Sequence, residues 1–241
     1  MLKSSELDLK CGREEAPIDE REQHAVVSQI TGQRWHWVKI PKTATIAYRS
    51  IFFPEVPHTA LQSHLPYRHL SFIDETPGPG FTVVRHPLSR FKSAIGHMMR
   101  STEHLDLQFE NTTAFFNFMN PLVDYLLTAD GWYAPQWCAD HFKLSTLSCS
   151  NCGMYYPGFL HAMFATQVYW GYHPNLKAFK YEQLDIFDEF IRTELGFDPS
   201  IKVRTNVTGS EVTAHLDFTD SRIVKLVQRL YAVDFDAFGY E

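Results

Sequence analysis

The sequence predicts an α/β protein in which helices flank a central parallel sheet. Residues 35–49 (WHWVKIPKTATIAYR) and 81–95 (FTVVRHPLSRFKSAI) each begin with bulky residues typical of a buried strand and continue at helical spacing. Residues 176–181 (LKAFKY) alternate like a third strand before an amphipathic helix. The strands expected to be neighbours in one sheet are those near residues 35–40, 81–85 and 176–181.

Length and composition bound the class of protein. A chain of 241 residues suits one large α/β domain, and we assign residues 1–33 to a lead-in and residues 34–241 to that domain. The net charge of −6 does not favour a nucleic-acid-binding surface. No apolar run approaches the ~20 residues of a membrane span, and the lead-in is too polar for a signal peptide. The sequence thus predicts a soluble, cytoplasmic protein, or a Golgi-lumenal one if it was trimmed from a longer eukaryotic parent.

The first stretch predicts an anion-binding loop between a strand and a helix. Pro41 cannot donate to a sheet ladder, so the strand should stop there, and helical spacing begins near Ile46. A helix amino terminus offers unpaired N–H groups and the positive end of its dipole, and Lys42 adds a full charge. The glycines of a Walker A loop are absent. On this stretch alone, an ordinary helix start after a proline-terminated strand is an equal alternative.

The second stretch predicts a further phosphate site at the same edge of the sheet. Arg85 follows a short β-branched run, so it should lie at the carboxyl end of a strand, where open α/β sheets bind ligands. Pro87 suits the first turn of the next helix, and Ser93 falls on its second turn. An arginine fork and a hydroxyl there would hold a phosphate. The cations that this region offers a polyanionic ligand are Lys39, Lys42, Arg85, Arg90 and Lys92.

Together the two stretches resemble the sulfotransferases that use 3′-phosphoadenosine 5′-phosphosulfate (PAPS), most of all the carbohydrate members of heparan and chondroitin type. Residues 41–45 (PKTAT) resemble the family's 5′-phosphosulfate loop, and residues 85–93 (RHPLSRFKS) resemble its R-[DNH]-P-x-x-R-x-x-S element for the 3′-phosphate. The resemblance implies a P-loop-containing nucleotide triphosphate hydrolase-like fold. It also implies in-line transfer of the sulfuryl group from PAPS to a hydroxyl acceptor, expected to be a carbohydrate, with no metal required.

The resemblance also assigns roles to residues. Those expected to bind PAPS are Lys42, Thr43, Ala44, Thr45, Ile46, Arg85 and Ser93. Lys42 is expected to be catalytic as well, by stabilising charge on the bridging oxygen of the leaving group. Ala44 stands where glycine is commoner, and Ile46 stands where many members carry Ser or Thr. The expected base is His64, because residues 63–67 (SHLPY) best match the family's histidine between the two motifs. The reserve candidates are His69, His58 and Glu55.

Three later segments resemble the family more loosely. They are residues 181–184 (YEQL), residues 204–208 (RTNVT) and the closing residues 231–240 (YAVDFDAFGY). If the protein is secreted, the sequon at Asn206 could instead be glycosylated. Elsewhere, residues 113–127 predict two short apolar helices with Pro121 between them, and Gly196 should end a helix that begins near Glu182.

The cysteines leave three interpretations open. Cys149 and Cys152 have the C-x-x-C spacing of zinc or redox sites, with Cys138 and His141 nearby. From the residues alone, a zinc site, a disulfide from Cys138 and reduced thiols are all tenable. The resemblance favours a disulfide, since some heparan-type members carry one in the equivalent loop.

Two rival functions follow from the same motifs. A nucleotide-dependent kinase of this architecture is disfavoured by the missing Walker A glycines and by the lack of a clear magnesium site. A nucleotide- or glycan-binding module without catalysis would keep the binding residues and lose turnover. The sequence does not identify the acceptor.

Overall fold

A computed structural model describes residues 24–54, 67, 78–101, 109, 111–128, 163–202, 213 and 216–241. Within these ranges the chain forms a four-stranded sheet in the order β1 (Ala25–Val27), β2 (Arg34–Val38), β3 (Gly80–Val84) and β4 (Leu176–Lys180). β2, β3 and β4 run parallel, with Trp37 paired to Phe81 and Phe81 paired to Lys177. The three strands expected from the sequence are therefore neighbours.

β1 makes the sheet mixed rather than wholly parallel, which corrects the sequence prediction. It pairs antiparallel with β2 and comes from the residues assigned to the lead-in. The connecting hairpin is closed by the Ser28 hydroxyl, which accepts hydrogen bonds from the Ile30 N–H (3.3 Å) and the Thr31 N–H (3.2 Å). Gly32 completes the turn with a φ of 70°. A three-residue strand is too short to show an alternating pattern, so the sequence did not predict it.

Helices follow the strands in the order that the sequence predicts. The α-helices of the described ranges are α1 (Thr45–Phe52), α2 (Pro87–Ser101), α3 (Thr112–Leu126), α4 (Gln167–Gly171), α5 (Leu184–Phe190) and α6 (Ser221–Phe238). Shorter elements are the 3-10 turns Tyr181–Gln183 and Pro199–Ile201 and the π-helical turn Ile191–Leu195. That π-helical turn extends α5 to Gly196, whose φ of 80° forms the C-cap expected from the sequence.

α3 is one continuous helix, whereas the sequence predicted two helices separated by Pro121. Proline in a helix interior removes a hydrogen bond and clashes with the preceding turn, at a cost of about 3 kcal/mol. Burial on both sides of Pro121 outweighs this cost, since Phe115, Met119 and Leu122 are fully buried. Asn111 is the N-cap of the helix, and its side chain accepts a hydrogen bond of 3.0 Å from the Ala114 N–H.

Helices cover both faces of the sheet. On one face, Trp37 and Phe81 pack against Phe52 of α1 and Phe187 of α5. On the opposite face, Val38 and Val84 belong to a cluster with Trp170 of α4. α2, α3 and α6 enclose a further apolar cluster. This packing fixes the carboxyl ends of β2 and β3 side by side. No helix in the described ranges is both long enough and apolar enough to span a membrane.

Candidate anion-binding site

The two sequence motifs meet at one edge of the sheet. β2 ends at Val38 and leads into the loop of residues 39–44 (KIPKTA), and α1 begins at Thr45. β3 ends at Val84, so Arg85 is the first residue beyond the strand. Because β2 and β3 are adjacent and parallel, both loops emerge at the same edge. The Arg85 Nη1 donates a hydrogen bond of 3.4 Å to the Lys42 carbonyl, which joins the two motifs directly.

The loop before α1 has an unusual backbone. Lys42 has a φ of 70° and Ala44 a φ of 68°, and they are the two non-glycine residues with positive φ in the described ranges. Such conformations cost about 1–3 kcal/mol each and cluster at functional sites. Thr43 lies between them without a positive φ. Alternating backbone handedness of this kind forms concave arrays of N–H groups that bind anions.

The hydroxyls of Thr43 in the loop and of Thr45 at the start of α1 both bond to the backbone of the loop. Thr43 Oγ1 and Thr45 Oγ1 each donate a hydrogen bond of 2.9 Å to the Ile40 carbonyl. The resemblance assigned Thr43 and Thr45 to PAPS binding, but here both hydroxyl protons stabilise the turn. At the start of α1, Ala44 is the N-cap and no side chain caps the helix. The first-turn N–H groups, those of Thr45 and Ile46 among them, are therefore the donors that the helix can offer to an anion.

Arg85 is held on several sides. Its guanidinium carbon lies 4.4 Å from the centroid of the Tyr181 ring, a cation–π contact, in addition to the bond with Lys42. Its Nε is buried and has no hydrogen-bond partner among the described residues. As a half-buried guanidinium at the loop edge, Arg85 is suited to a charge-assisted bond with an oxyanion.

Three of the five cations expected from the sequence are used for structure or lie elsewhere. Arg90 is fully buried, and its guanidinium donates to the Pro41 carbonyl and to the Met163 carbonyl, both at 3.1 Å. Lys39 is 1% exposed, and burial, followed by the charge of Arg49, lowers its pKa to about 7. The Nζ of exposed Lys92 lies 5.4 Å from the Phe218 ring centroid. Lys42 and Arg85 remain as the cations of the loop edge.

The other predicted site residues have different outcomes. Ile46 is the second residue of α1 and is partly exposed. Ser93 lies on the second turn of α2 and is 8% exposed, and in the described part of the chain it shares no hydrogen bond with Arg85. His64 and the reserve candidates His69, His58 and Glu55 lie outside the described residues. Their roles therefore stay predictions.

Several residues around Arg85 were not predicted as part of the site. Gln167 binds the main chain of Arg85 through its carboxamide, with bonds of 2.7 and 2.8 Å. Glu182 accepts a hydrogen bond from the His86 N–H (2.9 Å) and another from the Tyr240 hydroxyl (3.0 Å). The sequence carried a signal for Glu182 and Tyr240, in the YEQL and closing segments. It carried none for Gln167, whose role depends on which element α4 packs against.

No group of three His, Cys, Asp or Glu side chains that could hold a metal ion occurs within the described ranges. Cys138, Cys149, Cys152 and His141 lie outside them. The three interpretations of the cysteines therefore stand as the sequence left them.

Comparison of this chain with protein-family models, with curated proteins and with solved structures finds no match. The α/β architecture thus depends on the structure described above. The functional assignment depends on the motifs of this chain and on the geometry of its loop edge.

Proposed function

We propose that this protein is a sulfotransferase that moves the sulfuryl group of PAPS to a hydroxyl acceptor, with carbohydrate as the acceptor class. The observation that carries the proposal is the loop before α1. There, two residues with positive φ precede an uncapped helix terminus, and the Arg85 guanidinium contacts the same loop. This combination provides directed N–H groups, a helix dipole and a fixed positive charge for a phosphate or sulfate group.

The residues present fit a donor with two anionic ends. The N–H groups of Thr45 and Ile46, with Lys42, would hold the 5′-phosphosulfate, and Arg85 would hold the 3′-phosphate. In support, the half-buried Arg85 guanidinium contacts the Lys42 carbonyl at 3.4 Å, which places it beside the loop. Ser93 is assigned to the 3′-phosphate by the resemblance. Thr43 and Ala44 would contribute through the backbone, since the Thr43 hydroxyl already donates to the Ile40 carbonyl.

The chain's own residues would supply positioning, charge and a base. When bound, PAPS provides the electrophilic sulfur and a bisphosphate leaving group. Lys42 would stabilise negative charge where it develops on the leaving group, and the α1 terminus would keep that group aligned with the acceptor hydroxyl. His64 would accept the proton of the acceptor hydroxyl, a task that suits a neutral imidazole near its unperturbed pKa of ~6.5.

A ligand-binding test separates the proposal from the kinase alternative. Thermal-shift titration with 3′-phosphoadenosine 5′-phosphate, the bisphosphate product, should stabilise the protein without magnesium, by about 2.7 kcal/mol at a hundredfold excess over Kd. ATP, with or without magnesium, should stabilise it much less. Stabilisation by magnesium–ATP and none by the bisphosphate would favour the kinase.

Turnover separates the enzyme from a binding module. A panel of hydroxyl-bearing glycans should be incubated with labelled PAPS, and transfer of label to at least one of them is expected. Binding of the bisphosphate without transfer to any acceptor would favour the catalytically inactive module.

The role of Arg85 has its own test. Arg85→Ala should weaken binding of the bisphosphate by about 1.5–3 kcal/mol for each charge-assisted bond that is lost. Arg222→Ala is the matched control, because Arg222 is exposed and bonds to Asp220 on the surface of α6. Calorimetric affinity that is unchanged in Arg85→Ala would contradict the assignment of the 3′-phosphate.

A further inference from the structure

Gln167 makes a two-point contact with the main chain of Arg85. Its Oε1 accepts a hydrogen bond from the Arg85 N–H at 2.7 Å, and its Nε2 donates one to the Arg85 carbonyl at 2.8 Å. The side chain thus takes the place of a strand partner where β3 has ended. Gln167 is completely buried. A carboxamide that satisfies both backbone groups of one residue fixes that residue's position and orientation together.

Gln167 is anchored in turn by Asp234 of α6. The Asp234 carboxylate accepts hydrogen bonds from the Gln167 N–H (2.8 Å) and from the Val168 N–H (2.9 Å), one on each oxygen. It thereby bonds the first N–H groups of the short helix α4. Asp234 is also completely buried. A hydrogen-bonded path therefore runs from α6 through the start of α4 to Arg85.

The same carboxylate lies in the field of Arg90. Burial raises the pKa of Asp234, while the Arg90 charge and the N–H bonds of Gln167 and Val168 act in the opposite direction. The Arg90 Nε donates to the Pro41 carbonyl at 3.1 Å, at the start of the other motif's loop. Asp234 therefore bonds to the residue that holds Arg85, and it interacts electrostatically with Arg90, which bonds to the loop before α1.

We propose that Gln167 is a positioning residue of the anion site, which acts through Arg85 and is itself held by Asp234. This inference rests on the proposed function, because Gln167 would affect the affinity of the protein for the phosphate that Arg85 binds. Gln167 contacts no substrate in this scheme. Its contribution is to keep the Arg85 main chain in the one position from which the guanidinium reaches both the loop and a ligand.

Gln167→Met tests the inference, since methionine is similar in length and cannot make either bond. Its Kd for 3′-phosphoadenosine 5′-phosphate should rise about 5- to 30-fold, the factor that one or two kcal/mol produces. Gln228→Met is the control, because Gln228 is exposed on α6.

A double-mutant cycle distinguishes positioning from general loosening of the fold. In an Arg85→Ala background, Gln167→Met should change the Kd less than about twofold, because its effect passes through the missing guanidinium. An equal rise in both backgrounds would overturn the inference. The affinity for adenosine 5′-phosphosulfate, which lacks the 3′-phosphate, should change little in Gln167→Met.

A readout without ligand separates failure of this inference from failure of the proposed function. Hydrogen exchange of the Arg85 amide should accelerate about tenfold or more in Gln167→Met and stay unchanged in Gln228→Met. Unchanged exchange at Arg85 in Gln167→Met would overturn the inference even if the wild type binds the bisphosphate. A wild type that does not bind the bisphosphate would refute the proposed function, and exchange would still decide whether Gln167 fixes Arg85.

Discussion

The positive φ of Ala44 gives a stability prediction that runs against the usual direction of glycine substitution. An L-residue in the left-handed region destabilises the folded state by roughly 1–2 kcal/mol, and glycine does not have this cost. Glycine also increases the entropy of the unfolded chain, which offsets about 0.4–1 kcal/mol of the gain in stability. It is also a better N-cap than alanine. Because Ala44 has a φ of 68° and is the N-cap of α1, Ala44→Gly should raise the free energy of unfolding by about 0.5–1 kcal/mol.

Ala47→Gly is the matched control. Ala47 lies three residues later within α1, and both alanines pack partly buried against the same apolar cluster. Both substitutions therefore remove one methyl group from similar surroundings, but at Ala47 glycine should cost about 0.5–1 kcal/mol of helix stability. Urea denaturation of the two variants and the wild type measures the difference, expected to be about 1–2 kcal/mol. Equal destabilisation by both substitutions would refute the argument that the loop stores backbone strain.

Three further predictions concern other parts of the molecule. Lys39 has a pKa lowered to about 7 by burial and by Arg49, so the unfolded chain binds more protons than the folded one between that value and ~10.4. Lys39 should therefore raise the free energy of unfolding between pH 6 and pH 9 by at most about 2–3 kcal/mol. If a Lys39→Met variant showed the same pH dependence of the free energy of unfolding as the wild type, Lys39 would be excluded as its source. Gly196→Ala should destabilise the protein more than Gly32→Ala does. Both glycines have positive φ, but of the two only Gly196 would place the new Cβ 2.9 Å from Ile30 Cγ1. Equal melting temperatures of the two variants would contradict this prediction. His64→Ala should lower turnover about 10²–10⁴-fold while calorimetry shows unchanged affinity for the bisphosphate, and a fully active variant would move the base to His69, His58 or Glu55.

The parts of the fold that local pattern encodes could be predicted from the sequence. Alternating bulky residues before Pro41 predicted β2, and the β-branched run before Arg85 predicted β3, because side-chain period and proline geometry act within a few residues. β1 was missed because three residues carry no period. The continuity of α3 through Pro121 was missed for another reason, since burial of distant partners decides whether a helix tolerates proline.

The residues of the candidate site also fall into two groups, those that local motifs predicted and those that depend on distant contacts. The motifs located Lys42 and Arg85, which the structure does bring together. They also suggested Arg90 as a ligand cation, yet its guanidinium is buried against the carbonyls of Pro41 and Met163, which lie 49 and 73 residues away in the chain. Gln167 is 82 residues from Arg85. Contacts over such separations depend on the packing of whole elements, which no local spacing reveals.

The supports of the loop also determine the sign of the charge it presents. The carbonyls of Ile40, Pro41 and Lys42 all accept hydrogen bonds, from the two threonine hydroxyls, from Arg90 and from Arg85 respectively. These bonds hold a strained backbone in place, and they also occupy the negative ends of three successive peptide dipoles. The N–H groups at the start of α1 have no side-chain cap. In the proposed site, the N–H groups and the cations would therefore face the ligand, and the interactions that stabilise the shape of the loop would also favour an anion.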